Sequence, residues 1–128
     1  MIVLDTAAWL WACSDMSKLS DPGRELFTSA KIALVSAISA WEVGMLVSKR
    51  RIALDRTVAR WVDEAGRVGI IEIVPVDQRI AVFATQLPGE APGDPADRII
   101  AATALVNGCP LVTPDRALRD YPFVPTVW

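Results

Sequence analysis

GDPADRIIAATALVNGCPLVTPD, residues 93–115, sets the architecture of this chain. Asp94 before Pro95 reads as a helix start, and the apolar body that follows stops at Asn107-Gly108. We place a helix from Pro95 and a short strand over Pro110 to Thr113, ending just before a second acid, Asp115. Two carboxylates, Asp97 and Asp115, thus bracket one αβ unit. In an α/β sheet the helix starts line one edge, so both acids are expected there, and an acid-lined edge points to a metal site. Two acids alone are explained by helix-start preferences. The question is whether others reach the same edge.

The rest of the chain repeats the pattern. Met1 to Leu4 is an apolar, β-branched run suited to a buried parallel strand, and Asp5 closes it. Thr6 to Cys13 follows as an apolar helix, Ser20-Asp21-Pro22 opens a second helix, and Ile32 to Val35 is a second strand. In the next helix Ile38, Glu42 and Leu46 fall four residues apart, which puts Glu42 on an apolar stripe flanked by Trp41 and Met45. A helix over Thr57 to Val68, a strand over Ile70 to Val74 and a helix over Asp77 to Leu87 lead to the breaker-rich loop PGEAPGDP. After the 93–115 unit come a short helix, Arg116 to Asp120, and an extended tail whose Pro125 confines it to a sheet edge. Alternating strands and helices imply a parallel sheet of five strands in one domain spanning 1–128, without internal repeat or linker.

Composition removes most other chemistries. The chain has no histidine, which excludes Ser-His-Asp and Cys-His triads, histidine metal clusters and paired-histidine ribonuclease chemistry. Neither a GxxxxGK[ST] loop nor a GxGxxG fingerprint occurs. Cys13 and Cys109 lie in apolar stretches and read as reduced core thiols. No apolar run reaches membrane-spanning length, so a cytoplasmic location is expected. The net charge of −2 does not announce a nucleic-acid binder, yet Lys49, Arg50, Arg51, Arg56, Arg60 and Arg67 gather mid-chain as either a phosphate-binding or a solvated face.

Each acid has an ordinary explanation. Asp94 looks like an N-cap, Ser39 with Glu42 has capping-box spacing, and Asp5, Asp97 and Asp115 can favour helix dipoles. Direction is what those explanations miss: Asp97 shares its stripe with Ile100, Ala101 and Ala104, as Glu42 shares one with Ile38 and Leu46. Two carboxylates about 4 Å apart repel by roughly 4 kcal/mol at an effective dielectric of about 20, so a four-acid pocket favours capture of a cation. No lysine follows Lys49, and Arg98 should point away from Asp97 on a helix. Oxygen-only ligation selects hard ions, Mg²⁺ or Mn²⁺.

IVLD with Asp5, SAISAWE with Glu42, DPADRIIAATA with Asp97 and LVTPD with Asp115 together resemble the PIN-domain family, specifically its VapC-type toxins, over the whole chain. The resemblance implies a three-layer α/β/α fold with a central parallel five-stranded sheet. It also implies a Mg²⁺- or Mn²⁺-dependent endoribonuclease, a homodimer, and a cognate antitoxin whose C-terminal segment covers the acidic site. By resemblance Asp5, Glu42, Asp97 and Asp115 are the metal-binding and catalytic quartet, Thr113 is the hydroxyl residue near the fourth acid, and Asp94 caps a helix. The chain departs from the family pattern at Ala96, often phenylalanine, at Pro114, often basic, and in a loop before Asp94 that lacks histidine. No acid is lost, so these departures bear on substrate choice and loop shape.

The expected reaction is in-line hydrolysis of RNA with one or two divalent ions held by the acids, leaving 5′-phosphate ends. A PIN-like binding module with silent acids is the alternative. A response-regulator switch or a DxD phosphatase fits worse, because Asp5 is followed by Thr6 and Ala7 and no late lysine exists. Trp9, Trp11, Trp41 and Trp61 are expected to pack inward, although Trp9 and Trp11 cannot share one helix face.

Overall fold

The computed structural model describes every residue, Met1–Trp128. Strands β1 (Ile2–Leu4), β2 (Ala33–Ser36), β3 (Ile71–Val74), β4 (Leu111–Val112) and β5 (Thr126–Val127) form one sheet in the order β3-β2-β1-β4-β5, with every pairing parallel. Helices α1 (Thr6–Ser14), α2 (Asp21–Ser29), α3 (Ala37–Ser48), α4 (Val58–Ala65), α5 (Gln78–Thr85), α6 (Pro95–Asn107) and α7 (Arg116–Arg119) connect them, with one 3₁₀ turn at Met16–Lys18. The five parallel strands match the expectation from alternation. The short last strand lies at an edge and begins just after Pro125, whose carbonyl accepts from Leu111 N at 2.9 Å.

Strand alternation divides the core into two layers. Val3, Leu34 and Leu111 point to one face, where they meet Ile80 and Ala84 of α5 and Ile100, Ala101 and Ala104 of α6. Ile2, Leu4, Ala33, Val35 and Ile71 point to the other, against Ala8 and Trp9 of α1, Val43 of α3, and Trp61 and Ala65 of α4. There Trp9 is fully buried, edge-on to Trp61 at 4.9 Å, and donates its indole N–H to the Ala65 carbonyl at 3.1 Å. A buried indole needs such a partner.

The strand order places the site. The chain lays down β1, β2 and β3 outward in one direction, then returns through α5 and α6 to put β4 on the other side of β1. The carboxyl ends of β1 and β4 therefore form the topological switch point, where open α/β sheets bind ligands. β1 runs directly into Asp5, and β4 into Thr113-Pro114-Asp115.

Some boundaries differ from the sequence reading. α4 ends at Ala65 rather than Val68, with Gly66 as its C-cap donating its N–H to the Val62 carbonyl at 2.9 Å; a side chain at 66 would collide with Ile73, since a Cβ there would lie 2.8 Å from Ile73 Cγ1. β4 is two residues long, with Pro110 and Thr113 outside it. α6 starts at Pro95 as expected and stops at Gly108, whose φ of 62° lies in the left-handed region. Nothing approaches a Cβ built on Gly108, so Gly108→Ala tests the backbone alone. It should cost about 1 kcal/mol, a fall of roughly 3–6 °C in thermal midpoint. An unchanged midpoint would mean that the stop does not depend on that conformation.

Candidate metal centre

Four helix starts converge on the switch point. Asp5 is the N-cap of α1 and its Oδ1 accepts from Ala8 N at 2.8 Å; Asp115 is the N-cap of α7 and its Oδ1 accepts from Leu118 N at 3.1 Å. Asp97 lies in the first turn of α6, beneath the N-cap Asp94, whose Oδ2 accepts from Asp97 N at 3.0 Å. Glu42 arrives from the second turn of α3. The capping reading is therefore correct for Asp94, and Asp5 and Asp115, read as helix-dipole acids, are N-caps as well; capping engages one oxygen of each, while the second oxygen of Asp5 accepts from Thr113 and that of Asp115 has no hydrogen bond. For Glu42 the capping-box reading fails. Ser36 is the N-cap of α3, accepting from Ile38 N at 3.2 Å, while Ser39 is buried within the helix.

Asp5, Glu42, Asp97 and Asp115 all line one cavity of about 410 Å³, together with Leu10, Trp11, Leu46 and Ile52. Size does not locate it. A larger hollow of about 700 Å³ crosses α5 and α6 and contains no acid. Two threonines hold two of the acids in place. Thr113, fully buried, donates its hydroxyl to Asp5 Oδ2 and accepts from Asp115 N at 3.0 Å, tying the ends of β1 and β4 together. Thr6 Oγ1 lies 2.5 Å from Glu42 Oε1 and 2.8 Å from Ser39 Oγ, so α1 and α3 are joined at the cavity wall. Thr6 carried no sequence signal beyond following Asp5. Asp97 alone has no hydrogen bond to its carboxylate from any side chain or amide of the chain. Arg98 points elsewhere, as expected, donating to the carbonyls of Ala84 at 2.9 Å and Pro92 at 3.1 Å.

Burial and mutual repulsion shift these groups together. Asp5 is pushed up to about 6, chiefly by burial, with Asp115 and Glu42 adding repulsion and the bonds from Thr113 and Ala8 opposing it. Asp97 rises to about 7 through burial and then the charges of Asp115, Asp94, Glu42 and Asp5. Glu42 is raised by burial against the lowering effect of Thr6. No basic side chain enters the cavity lining. The four carboxylates face one another without a built-in counter-charge, which suits an oxygen-ligated divalent cation. No three of them close around one point as a finished cage. An oxygen-lined mouth of this kind fits an ion that keeps several of its waters, as Mg²⁺ does.

Between about pH 4 and 7 the folded chain holds protons on Asp5 and Asp97 that the unfolded chain has released, so stability falls as pH rises across that window. The metal-free protein should therefore unfold at a higher temperature near pH 5 than near pH 8. Asp97→Asn should change little near pH 4 but stabilise by about 1 kcal/mol near pH 8, a rise of roughly 3–6 °C. That figure is kept well below the full shift because Asp97 is half-exposed and screened. A midpoint at or below that of the parent protein near pH 8 would contradict the mutual repulsion.

The chain can now be set beside known proteins. The family model described as PIN domain matches residues 2–124. Ribonuclease VapC22 of Mycobacterium tuberculosis is 37% identical over 130 residues, covering 99% of this chain and 98% of the relative. A toxin–antitoxin complex from Klebsiella pneumoniae superposes with a TM-score of 0.69 at 20% identity, covering 100% of this chain and 97% of that one. VapBC2 from Rickettsia felis, bound to a DNA fragment from its promoter, gives 0.68 at 20% identity over 99% and 98%. At that identity the solved structures speak to the fold alone. With the profile spanning nearly every residue and the relative matching end to end, the chain belongs to the PIN-domain family and, within it, to the VapC type.

Proposed function

We propose that this protein is a divalent-metal-dependent endoribonuclease, the toxin of a toxin–antitoxin pair, with Asp5, Glu42, Asp97 and Asp115 as its metal-binding and catalytic residues. The observation that carries the reading is the convergence of those four carboxylates, and no basic residue, on one cavity at the switch point. The relative that matches end to end is a ribonuclease, and the similar folds come from toxin–antitoxin complexes. All-oxygen ligation favours Mg²⁺ or Mn²⁺.

A divalent ion bound there would polarise a phosphodiester and make water acidic enough to attack at neutral pH. The chain's own residues prepare for this. Thr113 fixes Asp5 and Thr6 fixes Glu42, so two acids are held rigidly against their neighbours' repulsion. Asp97 carries no such tether, which leaves its carboxylate free to turn to an ion; in the metal-free chain it is raised towards neutral pH, so a proton and the ion would compete for it. Attack by the ribose 2′-hydroxyl lacks an acid–base pair in a chain without histidine, so hydrolysis by water with 5′-phosphate products is the consistent outcome.

Leu10, Trp11, Leu46 and Ile52 give the same cavity an apolar wall beside its acids. That combination suits an antitoxin segment bearing apolar anchors and one arginine or lysine directed at the carboxylates, which would block substrate and metal together. A homodimeric, cytoplasmic toxin completes the proposal. No helix of the chain is long and apolar enough to cross a membrane.

The test is cleavage of total cellular RNA by purified, antitoxin-free protein with Mg²⁺ or Mn²⁺ against EDTA, beside Asp97→Asn. Discrete metal-dependent fragments with 5′-phosphate ends are expected, with activity reduced about 100-fold or more by Asp97→Asn. Fragments ending in 2′,3′-cyclic phosphate, or equal cleavage in EDTA, would overturn the mechanism.

A further inference from the structure

Trp41 is 59% exposed, where inward packing was expected, and it joins neither core layer. An indole left in water forgoes most of its burial free energy. Its place explains what it is available for. Trp41 precedes Glu42 on α3, and Trp41, Met45 and Lys49 follow one another at four-residue spacing, so they form a stripe beside the Glu42–Leu46 stripe that lines the acidic cavity. Trp41, Met45, Lys49 and Arg51 wall a second hollow of about 270 Å³ that shares Glu42 and Leu46 with that cavity. The two hollows are neighbours across α3.

Charge selects the occupant. No ion pair engages Lys49, Arg50 or Arg51; Lys18, Lys31, Arg79, Arg98 and Arg119 are also unpaired, but only this trio is consecutive in the chain, with two of its members on the wall of that hollow. Arg50 also has φ 57°, in the region that favours glycine, so an arginine stands where backbone geometry alone would place a residue without a side chain. Three free cations at the end of α3 suit a polyanion. Glu42 and Asp94 also line the hollow and disfavour a phosphate against them, which leaves that part of the space to an uncharged ring.

We infer that Trp41 is a stacking platform for an unpaired base of the RNA next to the scissile phosphate, with Lys49 and Arg51 holding the adjoining backbone. This rests on the ribonuclease reading and deepens it by assigning Trp41, Lys49 and Arg51 to the substrate strand beside the acidic cavity. Base stacking on an aromatic face is sequence-tolerant, and phosphate contacts position the strand without reading it. Trp41 would touch substrate but not the reacting atoms, so its loss should raise KM and leave the shape of the pH–rate profile unchanged.

The experiment measures binding of a short, mixed-sequence, fluorescein-labelled single-stranded RNA and of its blunt duplex in EDTA, together with tryptophan emission and metal-supported cleavage of total cellular RNA. Parent protein, Trp41→Phe and Trp41→Leu are compared. Single-stranded RNA should bind more tightly than duplex and quench tryptophan emission. Trp41→Leu should lose about 5- to 150-fold in affinity for the single strand and most of the quenching, and Trp41→Phe several-fold less. Equal binding by parent and Trp41→Leu, with cleavage intact, overturns the stacking role alone. A change in sedimentation of Trp41→Leu without a change in RNA affinity assigns the face to a protein contact, and also overturns it. A folded parent protein that neither cleaves nor binds RNA overturns the ribonuclease reading beneath it.

Discussion

Repulsion among carboxylates gathered at one sheet edge is the constraint on which the rest depends. Asp5 and Asp97 both rise towards neutral pH because burial strips their hydration and each faces further negative charge. A fold that keeps such a set needs stiff surroundings. It has them in the fully buried strands beneath the site, Val3 and Leu4 in β1 and Leu111 and Val112 in β4, and in the Thr113 bridge across their ends. The same residues that destabilise the metal-free chain at high pH make it selective for a cation.

The topology turns local chain chemistry into a site. Asp5 and Asp115 are ordinary N-caps when read one helix at a time. They lie together only because β4 pairs with β1 after the chain has passed through β3, α5 and α6. Glu42 and Asp97 come from helices that pack against each other beside the sheet, Asp97 in the first turn of its helix and Glu42 in the second. One cavity then receives negative side chains from four helices, with apolar residues from α1, α3 and the segment after α3, and the cations at the end of α3 line the neighbouring hollow. Metal, antitoxin and RNA, as proposed, would each use a different part of that gradient.

Much of this could be read from the sequence, and the reasons differ by element. The 93–115 unit was readable because Asp94-Pro95 and Asn107-Gly108 carry their own stop and start chemistry. Parallel pairing followed from alternation. The helix end at Ala65 was not readable, since Gly66 caps it from the right-handed region, φ −79°, without a left-handed stop, and the apolar Val68 beyond it extends the helical pattern. Ser39 and Glu42 misled because their spacing fits a capping box, while the true cap, Ser36, closes a strand and opens the helix at once. Trp41 misled for a different reason: hydrophobicity predicts burial of an average tryptophan, and this one faces a hollow outside both cores. Thr6 was unrecognised because its partner Glu42 lies 36 residues away.

The measurement closest to the central claim is titration of the purified metal-free protein with Mn²⁺, followed by the loss of its free-ion paramagnetic signal, at about pH 8 and about pH 5. The four-acid site predicts saturable binding at the higher pH, weakened at least tenfold at the lower as Asp97 and Asp5 take up protons, and weakened comparably at the higher pH by Asp97→Asn. Folded protein that binds no Mn²⁺ at either pH, or binds it equally well without Asp97, would contradict the account.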